Sequence, residues 1–289
     1  MSNREHEERE AAQSHEAEEN AADLSHEEEV DVEERRAPPA RIVHEVIRRQ
    51  GIEELERPDM SLLWSAIIAG VSLSMSVLAK AVLDLRLPES AAKPVLVDLG
   101  YTVGFVIVIM GRLQLFTEST ITAILPLVTT PSWHSLGRTA RLWLIVFLAN
   151  MAGTFAFALF SDIGGFGSAE LKQAIIAVSE PLRGRDAGNI LLAGIPSGFL
   201  IATIVWVMPS SAGQRIWVIM LITWVIALGH LSHVVAGAAE AWVLWLAGAE
   251  SLGWVIFHFI LPALAGNIIG GTALFAFLAH AQVKREIHE

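Results

Sequence analysis

The residues of this chain that could do chemistry lie where two long apolar runs are interrupted. One interruption reads Leu115-Phe116-Thr117-Glu118-Ser119, and the other runs from His233 to Gly237. Imidazole has an unperturbed pKa of about 6.5, so it can donate or accept a proton near neutrality. An ionisable group inside an apolar span is costly and marks a substrate or ion path by default. A second reading of His233 stays open, in which the ring only satisfies backbone groups that the interruption sets free. His230 shares a helical face with His233 if the helix continues between them. The His-x-x-His spacing fits a metal pair, but no third ligand stands near it, and neither metal nor other cofactor is expected. Arg112, beside Gly111, either supplies fixed positive charge to a path or pairs with Glu118 or Asp84. Ser232 and His233 are adjacent and point in different directions, with no base–orienter set, so no enzymatic activity is expected.

The elements that position these residues belong to a membrane protein. The 289 residues are 53% hydrophobic and include no cysteine, which excludes disulfides, thiolate metal sites and thiol nucleophiles. Residues 1–60 hold 19 of the 31 acidic and 8 of the 20 basic side chains, so the net charge of −11 belongs to the opening and the body is neutral. Residues 1–38, rich in Glu, Ala, Ser and His, are expected to be a disordered acidic tail, either plainly solvated or a binding arm. The first stretch is charged rather than apolar, so no cleavable signal peptide is expected. After Pro38-Pro39, residues 39–58 place Ile42, Val43, Val46, Ile47, Ile52 and Leu55 near helical spacing. That pattern predicts an amphipathic helix at the membrane surface or under the bundle.

A helix needs about 20 apolar residues to cross a bilayer. Residues 59–283 offer six candidate spans, at 61–83, 95–128, 142–160, 190–208, 216–247 and 252–279. The second and fifth are too long for one straight crossing and predict a half-helix, a loop and a second half-helix. Non-helical backbone at membrane depth survives only where protein buries it or water lines it, and paired interruptions of this kind point to a transport site near the midplane. A shorter piece at 168–181 is expected outside the spans. Six crossings put both termini on one side, and the flanking Lys and Arg residues favour the cytoplasm, with 284–289 a short cytoplasmic C-terminus. The third span carries Asn150-Met151-Ala152-Gly153-Thr154 and the sixth carries Asn267 to Thr272, each a small-residue face with one amide. Packing alone accounts for the two Asn residues, while their repetition predicts a 3+3 inverted repeat. Lys80, Asp84 and Arg86 read as interfacial snorkelling. Trp133, Trp143, Trp217, Trp242, Trp245 and Trp254 read as an aromatic belt. Tyr101 and Phe105 share a helix face and either line a pore or pack.

Four motifs in order carry a resemblance over residues 60–283. They are Gln114-Leu115-Phe116-Thr117; Gly194-Ile195-Pro196-Ser197-Gly198 through Val205-Trp206; His233-Val234-Val235-Ala236; and Gly266-Asn267-Ile268-Ile269-Gly270-Gly271. Together they resemble the formate/nitrite transporter family, and within it the YfdC-like branch. The resemblance implies an all-α, aquaporin-like fold with broken second and fifth helices. It also implies a homopentamer in an inner membrane, with one pore per protomer for small monovalent anions such as formate, nitrite and hydrosulfide. It sets His233 in the pore between two hydrophobic constrictions, with Leu115 and Phe116 narrowing the path and the Thr117 hydroxyl near the imidazole. Tyr101 and Phe105 are further candidates for the narrowing. The His would protonate or polarise the anion, because a bare anion in an apolar passage loses its hydration at a cost few hydrogen bonds offset.

Three positions depart from the family pattern: Gly237 replaces an Asn, Ser232 a Glu, and Gly198 an Asn near which a pore-entrance Lys acts. The position of that Lys falls on Leu182, with Arg183 and Arg185 close by. The departures keep two other readings open, a pore for small neutral solutes and a non-transporting scaffold or sensor that works through the acidic tail. No nucleic-acid partner is expected.

Overall fold

The computed structural model describes residues 37–287 and is helical throughout them. The expected tail lies, through residue 36, outside the described residues. In chain order the elements are α1 (Ala40–Glu56), α2 (Asp59–Arg86), α3 (Lys93–Met110), α4 (Phe116–Thr122) and α5 (Ile124–Thr129). They continue with α6 (Trp133–Asp162), α7 (Ala169–Ser179), α8 (Ala187–Val207), α9 (Arg215–Leu228), α10 (Val234–Leu246) and α11 (Trp254–Lys284). By length and composition, α2, α3, α6, α11 and the segment Ala187–Ser210 that contains α8 could each cross a membrane. The apolar helices α9 and α10 have 14 and 13 residues, each too short to cross alone.

Local signals set several boundaries. Ser132, Ser168 and Asp186 cap α6, α7 and α8, each side chain accepting from a backbone N–H three residues on. Two helix pairs, α2 with α6 and α8 with α11, cross in backbone contact. A Cβ on Gly70 would collide with the carbonyl oxygen of Asn150, and one on Gly198 with that of Asn267. Two stretches of α11, Trp254–Ile260 and Ile269–Ala276, are wound as π-helix.

The interruptions sit earlier than the sequence suggests. Residues 111–115 are non-helical and α4 begins at Phe116; residues 229–233 are non-helical and α10 begins at Val234. The motif residues therefore open the second half-helices, with Leu115 and His233 as extended N-caps. Helix α3 ends at Gly111, and its last carbonyls are closed by Leu113 N–H to Val108 O (3.0 Å) and Arg112 N–H to Ile109 O (3.2 Å). Helix α9 ends at Gly229 in the same way, through Leu231 N–H to Ile226 O and His230 N–H to Ala227 O, both 2.9 Å. This is the paired-bond helix stop that favours a left-handed residue after the cap. His230 and His233 consequently do not share a helix face.

Helix α1 seats against the end of the bundle through Val43, His44, Ile47, Gly51 and Leu55, one helical stripe. Gly51 is required there, because a Cβ would strike the carbonyl oxygen of Thr122. The Glu54 carboxylate accepts a hydrogen bond from Thr122 Oγ1 at 2.6 Å. The His44 and His280 rings meet with 3.2 Å between Nε2 and Nδ1.

Burial raises the Glu54 carboxyl to about 7, against the Thr122 bond and nearby Arg57, which lower it. The folded protein thus holds a proton here that the unfolded chain releases near 4.5. The stability tied to this proton is full below that value and is lost as pH rises through 7. His44 acts in the opposite sense. Burial and then His280 lower it to about 4, so its contribution is full above 6.5 and is lost as pH falls through 4. Glu54→Gln, which keeps an acceptor for Thr122, is expected to remove the alkaline part of this dependence. Thermal melting from pH 5 to 8 should show the variant overtaking the wild type at the upper end.

Candidate functional site

The same hydrogen-bonding unit closes both interruptions. Asn150 Nδ2 donates to Ala66 O (2.7 Å) and Gln114 O (3.0 Å), while its Oδ1 accepts from Phe116 N–H (2.9 Å). Asn267 Nδ2 donates to Gly194 O (2.9 Å) and Ser232 O (2.8 Å), and its Oδ1 accepts from Val234 N–H (2.9 Å). Each amide thus ties the last residue before the N-cap, the first residue of the half-helix and a neighbouring helix. Both Asn residues are fully buried. They do more than pack, because three backbone groups at each interruption depend on one side chain.

Between the two units, Thr117 Oγ1 lies 2.8 Å from His233 Nε2. His233 Nδ1 accepts from Ala236 N–H at 3.1 Å and so caps α10. A backbone N–H can only donate, so this network assigns the neutral ring with its proton on Nε2, donated to Thr117. The edge contact of Phe105 with the imidazole has 5.0 Å between ring centroids, and Tyr101 stacks on Phe105 at 5.1 Å. Leu115, Phe105 and Thr117 are almost completely buried.

Two cavities approach this closed layer. One, of about 890 Å³, reaches His233, Tyr101, Gly237 and Phe259 and opens past Lys80 and Glu240. The other, of about 630 Å³, ends at Gln114 and is lined by Arg112, Glu118, Glu54 and Arg215. Phe105, Leu115 and Thr117 line neither cavity.

Several expected placements change. Phe116, expected at a constriction, stacks on Trp143 (5.6 Å) and Phe147 (5.2 Å) of α6. Gly198 lines neither cavity and serves the contact with Asn267. Gly237 does face the larger cavity, and a Cβ there would strike the Phe259 ring, which fills the space. Arg112 is exposed and lines the smaller cavity, away from Asp84, which pairs with Lys93 at 3.1 Å. Lys80 does not snorkel; its ammonium lies 3.4 Å from Asp98 and 4.0 Å from Glu240, all three largely buried. Of the six Trp residues assigned to a belt, Trp143, Trp242, Trp245 and Trp254 pack on the core.

Sequence reasoning missed Lys80, Asp98 and Glu240 as cavity residues. One signal was available: Glu240 falls two turns after His233, on the face that also carries Gly237. Backbone geometry shows another pair. Arg112 (φ 51°) and His230 (φ 47°) are the two non-glycine residues with positive φ among those described. They occupy matching positions, three residues before Leu115 and His233. A left-handed conformation costs a branched or long side chain about 1–2 kcal/mol relative to glycine.

Comparison with known proteins agrees with this geometry. The family model described as formate/nitrite transporter matches residues 41–281. The chain is 41% identical over 261 residues to the inner membrane protein YfdC of Escherichia coli (strain K12), covering 89% of this chain and 84% of that one. A solved FNT family ion channel superposes with a TM-score of 0.71 at 17% identity, covering 84% of this chain and 98% of the channel. A pentameric formate channel with formate bound superposes at 0.65 and 16% identity, covering 78% and 98%.

Removing either amide should disable its interruption. Asn267→Ala leaves Val234 N–H and the carbonyls of Gly194 and Ser232 without their partner, at about 1–3 kcal/mol for each buried group. Asn150→Ala should cost a similar amount through the matching groups. Thermal melting of the purified protein in detergent is expected to show comparable losses for the two variants. A melting temperature unchanged in either would contradict this role.

Proposed function

The chain belongs to the formate/nitrite transporter family, and from that membership we propose an inner-membrane, homopentameric channel or transporter for small monovalent anions of the formate and nitrite type. In this reading 39–58 form a juxtamembrane helix and 59–283 the channel domain, with both termini cytoplasmic. The six crossings are α2, α3 with α4, α6, α8, α9 with α10, and α11. They form two inverted halves of three. The matched asparagine units, the glycine contacts and the two left-handed residues support this repeat.

The observation that carries the reading is the buried 2.8 Å Thr117–His233 contact, set between two cavities and packed by Phe105. An anion reaching His233 takes the Nε2–H bond now given to Thr117, and the Thr117 hydroxyl turns to donate to it. Polarisation is the step that this geometry prepares. Transfer of a whole proton requires the ring to be protonated first at Nδ1, which displaces Ala236 N–H and uncaps α10. Protonation and the start of α10 are thereby coupled.

A pore for small neutral solutes is the second reading. Its support is that carboxylates stand at both mouths, Glu240 at one and Glu118 at the other.

Proteoliposomes loaded with formate or nitrite test the first reading across pH 5 to 8. His233→Asn keeps a capping side chain, so it is expected to fold, to lose flux by an order of magnitude or more, and to lose its pH dependence. Equal flux in variant and wild type would remove His233 from the mechanism. A wild type that passes urea or glycerol but neither anion would favour the neutral-solute reading.

A further inference from the structure

We propose that Arg112 and His230 are the ion-capture residues of the two mouths, one on each side of the Thr117–His233 layer. This rests on the anion-pore reading above. Each occupies the left-handed position that follows a helix end, where glycine fits without strain. Both positions carry instead a side chain with N–H donors, and strain of this kind persists where the surroundings hold it for a purpose. Helix termination does not explain the choice, since glycine would close the same two hydrogen bonds at each helix end. A favourable cation–dipole contact does not require it either, because the last turns of α3 and α9 could carry a Lys or Arg in relaxed backbone.

The surroundings say what the two side chains are there to meet. Arg112 is exposed to the smaller cavity and His230 to the larger one. On the larger cavity the other cationic groups are already engaged. Lys80 lies between Asp98 and Glu240, Lys93 pairs with Asp84 and Glu89, and Arg185 donates to His230 O at 2.8 Å. That last bond also fixes the loop that presents the His230 ring. Among the described residues, neither the Arg112 guanidinium nor the His230 ring is held by a hydrogen bond or ion pair. Each is therefore available to an arriving anion, Arg112 as a fixed charge with a planar fork of donors and His230 as an N–H donor. The two mouths recognise a small oxyanion through different groups, which predicts side-specific effects.

Arg112→Gly, His230→Gly and Arg112→Lys, measured in vesicles of defined orientation, test this assignment with formate as the probe. The glycine variants should melt at or above the wild-type temperature. Arg112→Gly should raise the half-saturating formate concentration about threefold to tenfold for entry through the smaller cavity, with little change from the other side. His230→Gly should show the reverse asymmetry. Arg112→Lys should recover most of the loss, and the Arg112→Gly effect should shrink as ionic strength rises. Unchanged saturation in both glycine variants overturns the assignment, as does an equal effect from both sides, which would mark a change in the pore itself. If the wild type passes neither formate nor nitrite, the anion-pore reading fails first and takes this inference with it.

Discussion

The membrane body depends on closing the backbone hydrogen bonds that two helix interruptions leave open. An amide is the side chain suited to this, since it offers two donors and an acceptor on one rigid plane. Asn150 and Asn267 each use all three, two on carbonyls and one on an N–H. Aspartate would bring a charge and only acceptors, and a hydrophobic residue would orphan every group. The amide can reach across only because Gly70 and Gly198 bring the neighbouring helix to backbone contact. The glycines and the asparagines therefore form one device, used twice.

Much of this was legible in the chain. The long apolar helices, the interrupted runs and the repeated Asn-small-residue segments are all visible in composition and spacing, because crossing a bilayer imposes length and backbone closure imposes polar residues. The places where the helices stop were not legible to within a few residues. They follow from the cap geometry at Gly111 and Gly229, and the motifs that catch the eye begin the next helix instead. The stacking of Phe116 on Trp143 and Phe147 is a contact between separate elements that no local pattern encodes. Lys80 looked like a snorkelling residue at a helix end, for the same reason. Its partners Asp98 and Glu240 come from other elements and meet it only in the folded bundle.

Both cavities mix acidic and basic groups. The larger one sets Lys80 beside Asp98 and Glu240, and the smaller one is lined by Arg112, Arg215, Glu118 and Glu54, whose carboxyl is raised by burial to about 7. A cavity with uniform positive charge would concentrate any anion and hold divalent ones strongly. Mixed charge weakens long-range attraction and leaves selection to short-range contacts.

The threonines around this layer brace it against a neighbouring helix. Thr272 Oγ1 donates to the carbonyl of Thr120 (2.7 Å), and Thr120 Oγ1 donates to the carbonyl of Thr117 (2.7 Å). These bonds tie α11 to the backbone of Thr117. They end on backbone carbonyls, which accept a hydrogen bond but do not pass a proton onward. The series is a brace rather than a wire. His233 Nδ1 is likewise occupied by Ala236 N–H. Both ring nitrogens are thus engaged, and the ring meets the larger cavity beside Tyr101. The two sides of the layer are chemically unequal, with Lys80, Asp98 and Glu240 on one cavity and Arg112 and Glu118 on the other.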